Sequence, residues 1–466
     1  MERRKMIKTI GISGGVIAGG LILSTATAKK WGPNSPQVDD PREPSFWEKD
    51  AGQMPETTQL TSDIQVDMAV IGSGITGLSA ACTLKELRPE LKVCVLESHR
   101  PCSGASSRNS AHMKGEYHSW ESIYSSEGPE VAFEWNKFSQ RGLEDAINFT
   151  KTNNIDCNLH KETLMWLATR NKAGKLKTMA KRMKDVGLKG TIVTGKKFHD
   201  KVGTDFYQIG FEDFNNYITH PGKMMKGFLQ TALDRGVMVY SASPVMAVAN
   251  SDSKTETNIL KTPKGSVAAK KVMFASNAYT PRIKGLLSSR MVPIVLATIA
   301  TEPLTPSQKA AAGVEFDHMT EVQLISRTLG HTPDNRIYFR GILGYSSFNS
   351  CVWKNLDKAY NRLEREMKER MPWTRDLKVT LKWPGAVALT YSGKPIAGPL
   401  PLEGQYVSLG YGGFGMVNGY YHGKLVAHRM VGADHPDMKF LRGPSGWIPP
   451  EPSRSIGAKT FFSFTI

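Results

Sequence analysis

The stretch that decides the fold is residues 67–98, which read DMAVIGSGITGLSAACTLKELRPELKVCVLES. Residues 68–71 form a short apolar run of the kind found in a buried parallel strand. Residues 75–87 then carry apolar side chains at helical spacing, and residues 92–96 form a second apolar run. This order predicts a strand, a helix and a second strand, which is the first unit of a parallel sheet.

Three glycines at the strand-to-helix turn predict a site for a dinucleotide. Gly72 permits the tight turn, Gly74 leaves the backbone open to a pyrophosphate, and Gly77 lets the helix pack closely on the strand. Ile75 and Thr76 begin the helix, whose N-terminal N–H groups carry a partial positive charge that suits phosphates. The alternative is a glycine-rich turn without a ligand.

An acidic residue ends the second predicted strand. Glu97 follows Gly77 by twenty residues, and its carboxylate can accept hydrogen bonds from both ribose hydroxyls while repelling a 2′-phosphate. Ser98 follows it and joins the predicted cofactor contacts. NAD and FAD both remain open at this point. NAD domains usually continue with further strand–helix repeats, whereas this chain continues with a loop of small residues that carries Arg108.

A second glycine-rich turn lies far along the chain. Residues 410–416 (GYGGFGM) follow the apolar run 406–409 and precede a predicted helix over residues 416–430. Such a turn allows close backbone approach, and the helix end that follows can stabilise negative charge on a flavin ring. A tight packing turn is the alternative. The candidate cofactor contacts here are Gly412, Gly413, Phe414 and Gly415.

Several motifs together resemble those of the D-amino-acid-oxidase-like FAD-dependent oxidoreductases, which include glycine, sarcosine and glutamylputrescine oxidases. Residues 104–112 (GASSRNSAH) resemble the family's flavin-proximal loop, which is usually close to GASGRNGG. Residues 383–398 resemble its W-x-G…T-x-D-x-x-P-x-I-G segment, and residues 410–416 resemble its GYSGHGM. The resemblance covers about residues 63–432, and three shorter segments agree as well: 220–223 (HPGK), 243–245 (SPV) and 272–279 (VMFASNAY).

The resemblance implies an α/β (α+β) fold with a Rossmann-like FAD-binding domain of the GR2 type and an antiparallel-sheet substrate domain. It implies FAD as the cofactor, with additional contacts from Arg108, Asn109, Val245 and Ser276. The sequence departs from the family where Ser392 replaces an Asp and Phe414 replaces a His. No cysteine follows the glycine-rich turn, so we expect non-covalent FAD, with a link through His112 as the alternative.

The same resemblance divides the chain into pieces of two interleaved domains. The predicted pieces are a signal or anchor at 1–28, a linker arm at 29–62, FAD-binding parts at 63–115, 219–281 and 383–433, substrate-domain parts at 116–218 and 282–382, and a tail at 434–466. Within the substrate parts the sequence predicts a helix over residues 129–152, strands over 292–301 and 335–343, and a helix over 358–369. We expect the linker arm, which is rich in Pro, Asp, Glu and Gln, to be exposed.

The family's chemistry is hydride transfer from the carbon that bears an amine to N5 of the flavin. The expected substrate is therefore an amine or amino acid, and the expected electron acceptor is oxygen or a quinone. An arginine commonly fixes a substrate carboxylate, and Arg340 is the first candidate, followed by Arg290. Tyr391 and Lys394 are candidates for the pocket, and Trp383 is either pocket wall or core.

Other functions remain open on the same fold. One is a dehydrogenase of a 2-hydroxy acid or polyol that passes electrons to a quinone. Another is a flavin-binding protein without turnover, and a third is a tRNA-modifying enzyme, which the export-like leader disfavours. The products distinguish oxidation of an amine or amino acid from oxidation of a 2-hydroxy acid or polyol, because only C–N oxidation releases ammonia or an amine.

The N-terminus resembles a twin-arginine export signal. Arg3 and Arg4 precede the uncharged segment 9–28, and Ala26-Thr27-Ala28 offers a small-x-small cleavage pattern. We therefore expect the twin-arginine translocase as a partner and a periplasmic or exported protein. An uncleaved helix that anchors the protein to the inner membrane is the alternative.

Composition and charge exclude several classes of protein. The 466 residues are 40% hydrophobic and 22% charged, which favours two or three folded domains over a disordered chain. Only the N-terminal segment approaches membrane-spanning length, which excludes a polytopic membrane protein. Five cysteines without a CxxC pair indicate neither a disulfide scaffold nor a zinc site. The net charge is +17, and residues 170–189 are basic, but no nucleic-acid motif accompanies them, so a solvated helix face is favoured over a nucleic-acid or lipid surface.

Overall fold

The computed structural model describes residues 43–115, 123–250, 257–283, 285–312, 318–323, 326–346, 351 and 356–465. The predicted leader at residues 1–28 and the first part of the predicted arm lie outside these residues. In the described part of the chain, no helix has both the length and the apolar character needed to cross a membrane.

Nineteen strands and eleven helices are named here in chain order. The strands are β1 (Ile64–Ile71), β2 (Val93–Leu96), β3 (His112–Met113), β4 (His160–Lys161), β5 (Leu164–Ala168), β6 (Gly190–Thr194), β7 (Ile209–Asp213), β8 (Tyr217–Ile218), β9 (Met238–Tyr240), β10 (Ala247–Asn250), β11 (Asn258–Lys261), β12 (Ser266–Phe274), β13 (Met291–Pro303), β14 (Met319–Glu321), β15 (Thr328–His331), β16 (Arg336–Tyr345), β17 (Val379–Thr390), β18 (Ile396–Pro399) and β19 (Gln405–Leu409). The helices are α1 (Phe46–Asp50), α2 (Ile75–Leu87), α3 (Pro129–Thr152), α4 (Ala173–Asp185), α5 (Gly195–Val202), α6 (Pro221–Asp234), α7 (Thr280–Ile283), α8 (Pro306–Ala312), α9 (Leu356–Arg370), α10 (Gly415–Val431) and α11 (Ser453–Thr465).

The first sheet has a parallel centre. Strands β9, β2, β1, β12 and β19 run parallel to one another in this spatial order, and β11 and β18 add antiparallel edges. Strand β1 is flanked on both sides, and its residues from Met68 to Ile71 are all buried. A strand that is buried on both faces reads as a continuous apolar run, which is why the sequence alone predicts it.

The second sheet is built from strands that come before β9 and after β12 in the sequence. Its order is β17-β13-β16-β15-β14-β5-β7-β6, and neighbours are antiparallel except for β14 and β5. A small third sheet contains β3, β8 and β4. The predicted fold class is confirmed, since a Rossmann-like sheet is joined to a mainly antiparallel one. The boundary predicted at residue 383 falls within β17, so residues 383–390 belong to the second sheet.

Two helices cover the first sheet where its glycine turns begin. Helix α2 has the predicted bounds, and α10 packs directly across its first turn. This contact needs glycines, because a Cβ atom at Gly419 would lie 2.7 Å from the Oγ1 of Thr76, and one at Gly423 would lie 2.4 Å from the Thr76 carbonyl oxygen. The start of α2 is therefore fixed in place by α10.

The expectation that the arm at residues 29–62 is exposed is wrong for its described part. Phe46, Trp47 and Leu60 are 5%, 2% and 2% exposed. Ser45 and Glu48 form a reciprocal capping box that begins α1, and the apolar pair behind the cap then packs into the body of the protein. The overall composition of the arm is polar, but these few apolar side chains determine where it packs.

Candidate active site

A cavity of about 360 Å³ lies between the two sheets. Fourteen of the fifteen cofactor contacts predicted from the sequence line it. They are Gly72, Gly74, Ile75, Thr76, Glu97, Ser98, Arg108, Asn109, Val245, Ser276, Gly412, Gly413, Phe414 and Gly415. Gly77 does not line it, because it lies against the turn, where an added Cβ would sit 1.9 Å from the carbonyl oxygen of Gly72.

The first glycine turn forms one wall of this cavity. Gly72 has φ +107°, and an added Cβ would lie 3.1 Å from the carbonyl oxygen of Ala275 on the neighbouring strand. Gly74 is the N-cap of α2 and provides no side-chain cap. The N–H of Ile75 donates to the hydroxyl of Ser106 at 3.0 Å, and the N-terminus of α2 otherwise faces the cavity without a side-chain cap from Gly74, which fits an anionic pyrophosphate.

Glu97 is held at the end of β2 by hydrogen bonds from the turn. Its Oε2 accepts from the backbone N–H and the hydroxyl of Ser73 at 3.0 and 2.7 Å, and its Oε1 accepts from the N–H of His99 at 3.1 Å. Its Oε1 also accepts from the hydroxyl of Ser98 at 3.1 Å, so a ribose hydroxyl would bind by replacing one of the two serine hydroxyls, which can rotate away. This arrangement fits a ribose bound near Glu97, with Val245 along the same wall.

The second glycine turn brings another helix N-terminus to the same cavity. Gly410 and Gly413 have φ values of +84° and +101°, and Phe414, the N-cap of α10, makes no side-chain capping bond. The hydroxyl of Tyr411 lies 3.1 Å from the Oγ1 of Thr76, so the two turns are joined directly. Two helix N-termini that face one cavity fit a long anionic cofactor.

The loop at residues 104–112 runs between the two turns. Asn109 donates from Nδ2 to the carbonyl of Ser106 at 2.8 Å and lies 3.1 Å from the Sδ of Met416 in α10. Arg108 lines the cavity, but its guanidinium is directed to neighbouring protein groups, including the carbonyl of Ser103 at 2.8 Å and the carboxylate of Glu48 at 3.0 Å.

Arg340 on β16 is the cation of the opposite wall. Its Nη2 lies 3.4 Å from the Oγ1 of Thr328, and its buried Nε has no hydrogen-bond partner in the described part of the chain. No carboxylate among the described residues pairs with it, and burial lowers the pKa of its guanidinium. A half-buried guanidinium without an anionic partner is ready to bind a carboxylate.

Two histidines meet beside Arg340. The rings of His112 and His318 lie 5.3 Å apart at 79°, and the Nε2 atom of each is buried without a partner among the described residues. The Nδ1 of His112 lies 3.3 Å from the Oδ1 of Asn216. Burial, with help from the nearby charges of His318, Arg340 and Lys114, holds the pKa of His112 well below its usual value. His112 is therefore a neutral imidazole at pH 7.

Lys114 also lines the cavity but is already paired. Its ammonium contacts the carboxylate of Asp213, which is fully buried and also accepts a hydrogen bond from the indole of Trp166 at 3.2 Å. Although burial opposes it, the charge and hydrogen bond of Lys114 hold the pKa of Asp213 below its usual value. This pair adds no net charge, so Arg340 remains the dominant charge of this end.

Sequence comparison now adds to this geometry. Residues 67–429 match the family model described as FAD dependent oxidoreductase, the DAO family. The chain belongs to this family. It binds FAD, and the glycine turns, helix N-termini and Glu97 described above fit that cofactor. This FAD-dependent oxidoreductase is an enzyme.

Relatives extend over most of the chain. It is 25% identical over 391 residues to the gamma-glutamylputrescine oxidoreductase of Escherichia coli, covering 83% of this chain and 89% of that one. It is 23% identical over 401 residues to the probable oxidoreductase OrdL of Rhizobium meliloti, with 83% and 88% covered. Among solved structures it is similar to glycine oxidase from Geobacillus kaustophilus, with a TM-score of 0.68 at 17% identity and 82% and 99% of the two chains covered. L-proline dehydrogenase from P. horikoshii has a TM-score of 0.66 at 16% identity, with 82% and 97% covered.

Two predicted pocket residues of this oxidoreductase do not line the cavity. Lys394 forms an ion pair with Glu127, and Tyr391 packs where an added Cβ at Gly446 would collide with its ring. Strand β17 ends at Thr390, and the turn that follows runs towards the C-terminal tail, which carries both side chains away from the cavity.

The other two substrate-side candidates have structural places. Arg290 donates from Nη1 to the carbonyl of Gly446 and does not line the cavity. Trp383 is 1% exposed and donates its indole N–H to the carbonyl of Arg108 at 3.3 Å, so it is core rather than pocket wall. Of the substrate-side candidates, Arg340 lines the cavity, and His112, which the sequence suggested only as an alternative link to the flavin, lines it as well.

Sequence reasoning missed Lys114, Trp166, Thr298 and Thr328, all of which line the cavity. They come from β5, β13, β15 and the segment after β3, and no local pattern links them. The available signal was limited to the strand periodicity, which identifies β13 but does not show which of its faces meets the cofactor.

Proposed function

We propose that this enzyme oxidises the C–N bond of a small amino acid, whose carboxylate binds Arg340. The carrying observation is that Arg340 lies half-buried on the cavity wall, with its Nε buried and with no carboxylate partner among the described residues. A substrate carboxylate would supply the missing anion and place the amine-bearing carbon between Arg340 and the cofactor wall. Several relatives carry the names of enzymes that act on amino acids or amines, which supports this class.

FAD, when bound, supplies the acceptor for the hydride that leaves the substrate carbon. The protein holds the substrate in position and excludes water from the cavity. Leu164, Trp166, Ile294 and Leu296 give the cavity an apolar lining on the substrate side. Holding the reacting carbon in place can contribute about 7–11 kcal/mol to the lowering of the barrier.

The substrate amine must be neutral before hydride transfer. The positive charge of Arg340 and the neutral ring of His112 both disfavour an ammonium group in this cavity, so the amine binds as the free base after it has lost its proton to solvent. If the Nδ1 of His112 donates to Asn216, the lone pair on its Nε2 can accept a hydrogen bond from the substrate amine.

The test is an anaerobic screen of the yellow holoenzyme with amino acids, simple amines and 2-hydroxy acids, with flavin absorbance as the readout. We expect amino acids to bleach the flavin and to release ammonia or an amine. Bleaching by simple amines alone would reject the carboxylate assignment, and a flavin that no amine or amino acid bleaches would reject the proposed class.

A 2-hydroxy acid is the second candidate, because Arg340 would hold its carboxylate equally well. Bleaching by 2-hydroxy acids without release of ammonia would favour this reaction. Mixing the reduced enzyme with oxygen, or with a soluble quinone, then identifies the electron acceptor by which of the two restores the colour quickly.

A further inference from the structure

The N-terminal arm contacts the loop at residues 104–112 through side chains that also cap α1 or pack in the core. Ser45 donates its hydroxyl to the carbonyl of Ser107 at 2.6 Å, and the indole of Trp47 donates to the carbonyl of Asn109 at 2.9 Å. Both contacts join residues 62 positions apart in sequence. The arm therefore fixes the backbone of this loop at two points.

A third contact is electrostatic. The side chain of Arg108 is 0% exposed, and the carboxylate of Glu48 lies 3.0 Å from its Nη2. The arm also supplies the carbonyl of Glu43, which accepts from Nη1 at 3.1 Å, and Pro384 accepts from the same nitrogen at 3.3 Å. Glu48 also pairs with Arg100 at 3.2 Å, but the side chain of Arg100 is 46% exposed. A buried guanidinium is costly without an anion, so Glu48 holds Arg108 in place and offsets its charge.

Arg108 lies at the flavin-ring end of the cavity. A cofactor with its ribose at Glu97 and its pyrophosphate at Gly74 extends from there towards the N-terminus of α10, and Asn109 contacts Met416 in the first turn of that helix. The side chain of Arg108 begins 3.6 Å from the Cβ position of Gly385, another lining residue. The backbone and Cβ of Arg108 thus lie in the cavity wall, and its guanidinium extends behind that wall to Glu48.

We propose that the arm at residues 43–51 is part of the cofactor site and that Glu48 is a positioning residue for the flavin. Through Arg108 it holds the loop against FAD, and its negative charge keeps Arg108 from favouring the reduced, anionic ring. The proposal depends on FAD binding and not on the identity of the substrate.

The test measures FAD affinity and flavin midpoint potential in purified holoenzyme. Glu48→Gln keeps the shape but removes the charge, so we expect the dissociation constant of FAD to rise about tenfold and reduced FAD to be favoured about tenfold over oxidised FAD. For a two-electron couple this second effect is a shift of about 30 mV to more positive potential. Glu48→Asp keeps the charge and should keep the wild-type potential.

Two further variants separate this role from general stability. Trp47→Phe removes the indole N–H together with part of a buried ring but keeps the Glu48 charge, so it should weaken FAD binding without moving the potential, with urea denaturation recording its loss of stability. Glu86→Gln breaks the surface pair with Arg235 at 3.1 Å and should change neither quantity. The proposal is overturned if Glu48→Gln leaves the FAD affinity and the potential at wild-type values, or if Glu86→Gln moves them equally. If Glu48→Gln does not fold, wild-type FAD affinity in Trp47→Phe overturns the proposal.

Discussion

At the scale of single residues, the cofactor site depends on glycines, which allow tight turns and close backbone contacts. Gly72, Gly74 and Gly77 serve three different needs: a positive φ, an open helix N-terminus and close contact with the preceding turn. These needs are local, so a sequence motif predicts them. Arg340 differs, because its importance depends on the absence of a carboxylate partner among the described residues, which only the folded chain reveals.

Gly74→Val is expected to abolish FAD retention. The Cβ atom would already lie 3.2 Å from the hydroxyl of Ser106, and the branched methyl groups would extend into the path of the pyrophosphate. The flavin-to-protein absorbance ratio after gel filtration measures this. Gly174→Val on α4, where nothing lies within 4 Å of an added Cβ, is the control and should keep its FAD. A Gly74→Val protein with the full complement of FAD would contradict the assignment of this turn.

At the scale of elements, the crossing of α10 over α2 connects the two halves of the cofactor site. Gly423 and Gly419 allow this crossing, and the hydroxyls of Tyr411 and Thr76 join the two turns at 3.1 Å. A displacement of α10 would therefore also move the N-terminus of α2, which faces the expected site of the pyrophosphate. Stability and FAD affinity should change together when this contact is disturbed.

Gly423→Ala tests that connection. The new methyl group would lie 2.4 Å from the backbone oxygen of Thr76, which cannot move without moving α2. We expect a loss of about 1–3 kcal/mol in the free energy of unfolding and weaker FAD binding. Urea denaturation and FAD titration measure the two effects. Gly174→Ala should show neither, and unchanged FAD affinity in a destabilised Gly423→Ala protein would contradict the connection.

The elements also show how far sequence reasoning reaches. Helices α2 and α3 have the predicted bounds, because their apolar spacing and the proline at the start of α3 are local signals. The arm was misjudged because two apolar residues decide its packing against a mainly polar composition. Tyr391 and Lys394 were misplaced because the direction of the chain after β17 depends on its contact with the C-terminal tail. The substrate wall combines strands that are far apart in sequence, so no motif could have predicted it.

At the scale of the whole molecule, buried histidines make stability depend on pH. Burial lowers the pKa values of His112, His220, His428 and His435, and it lowers that of His422 to about 4. In the unfolded chain these rings protonate at about pH 6.5. Below that pH the unfolded state binds more protons than the folded state, so the free energy of unfolding falls as the pH falls.

His422→Gln should reduce this acid sensitivity. His422 alone is expected to contribute about 2 kcal/mol to the loss of stability between about pH 7.5 and about pH 5. A glutamine amide can still donate to the carbonyl of Asn418, which lies 2.8 Å from the Nδ1 of His422. Urea denaturation of both proteins at the two pH values measures the difference. Equal losses in the two proteins would show that His422 does not carry this linkage.

The cellular location of the protein stays a prediction from the sequence. We propose that Arg3 and Arg4 direct export by the twin-arginine translocase. Replacing both with lysine should retain unprocessed protein in the cytoplasm, as fractionation of the native host would show. An unchanged periplasmic yield in the double variant would contradict twin-arginine export.

The measurement that tests the central claim most directly compares Arg340→Lys with the wild-type holoenzyme under anaerobic conditions. Both are titrated with an amino acid and with the amine that lacks its carboxylate, and flavin bleaching is followed. We expect the wild type to favour the amino acid strongly and Arg340→Lys to lose about ten- to hundredfold of that preference, with an unchanged flavin spectrum. Arg336→Lys, on the same strand but paired with Asp334, should behave as wild type. A wild type without preference for the amino acid, or an Arg340→Lys protein that keeps it, would contradict the account.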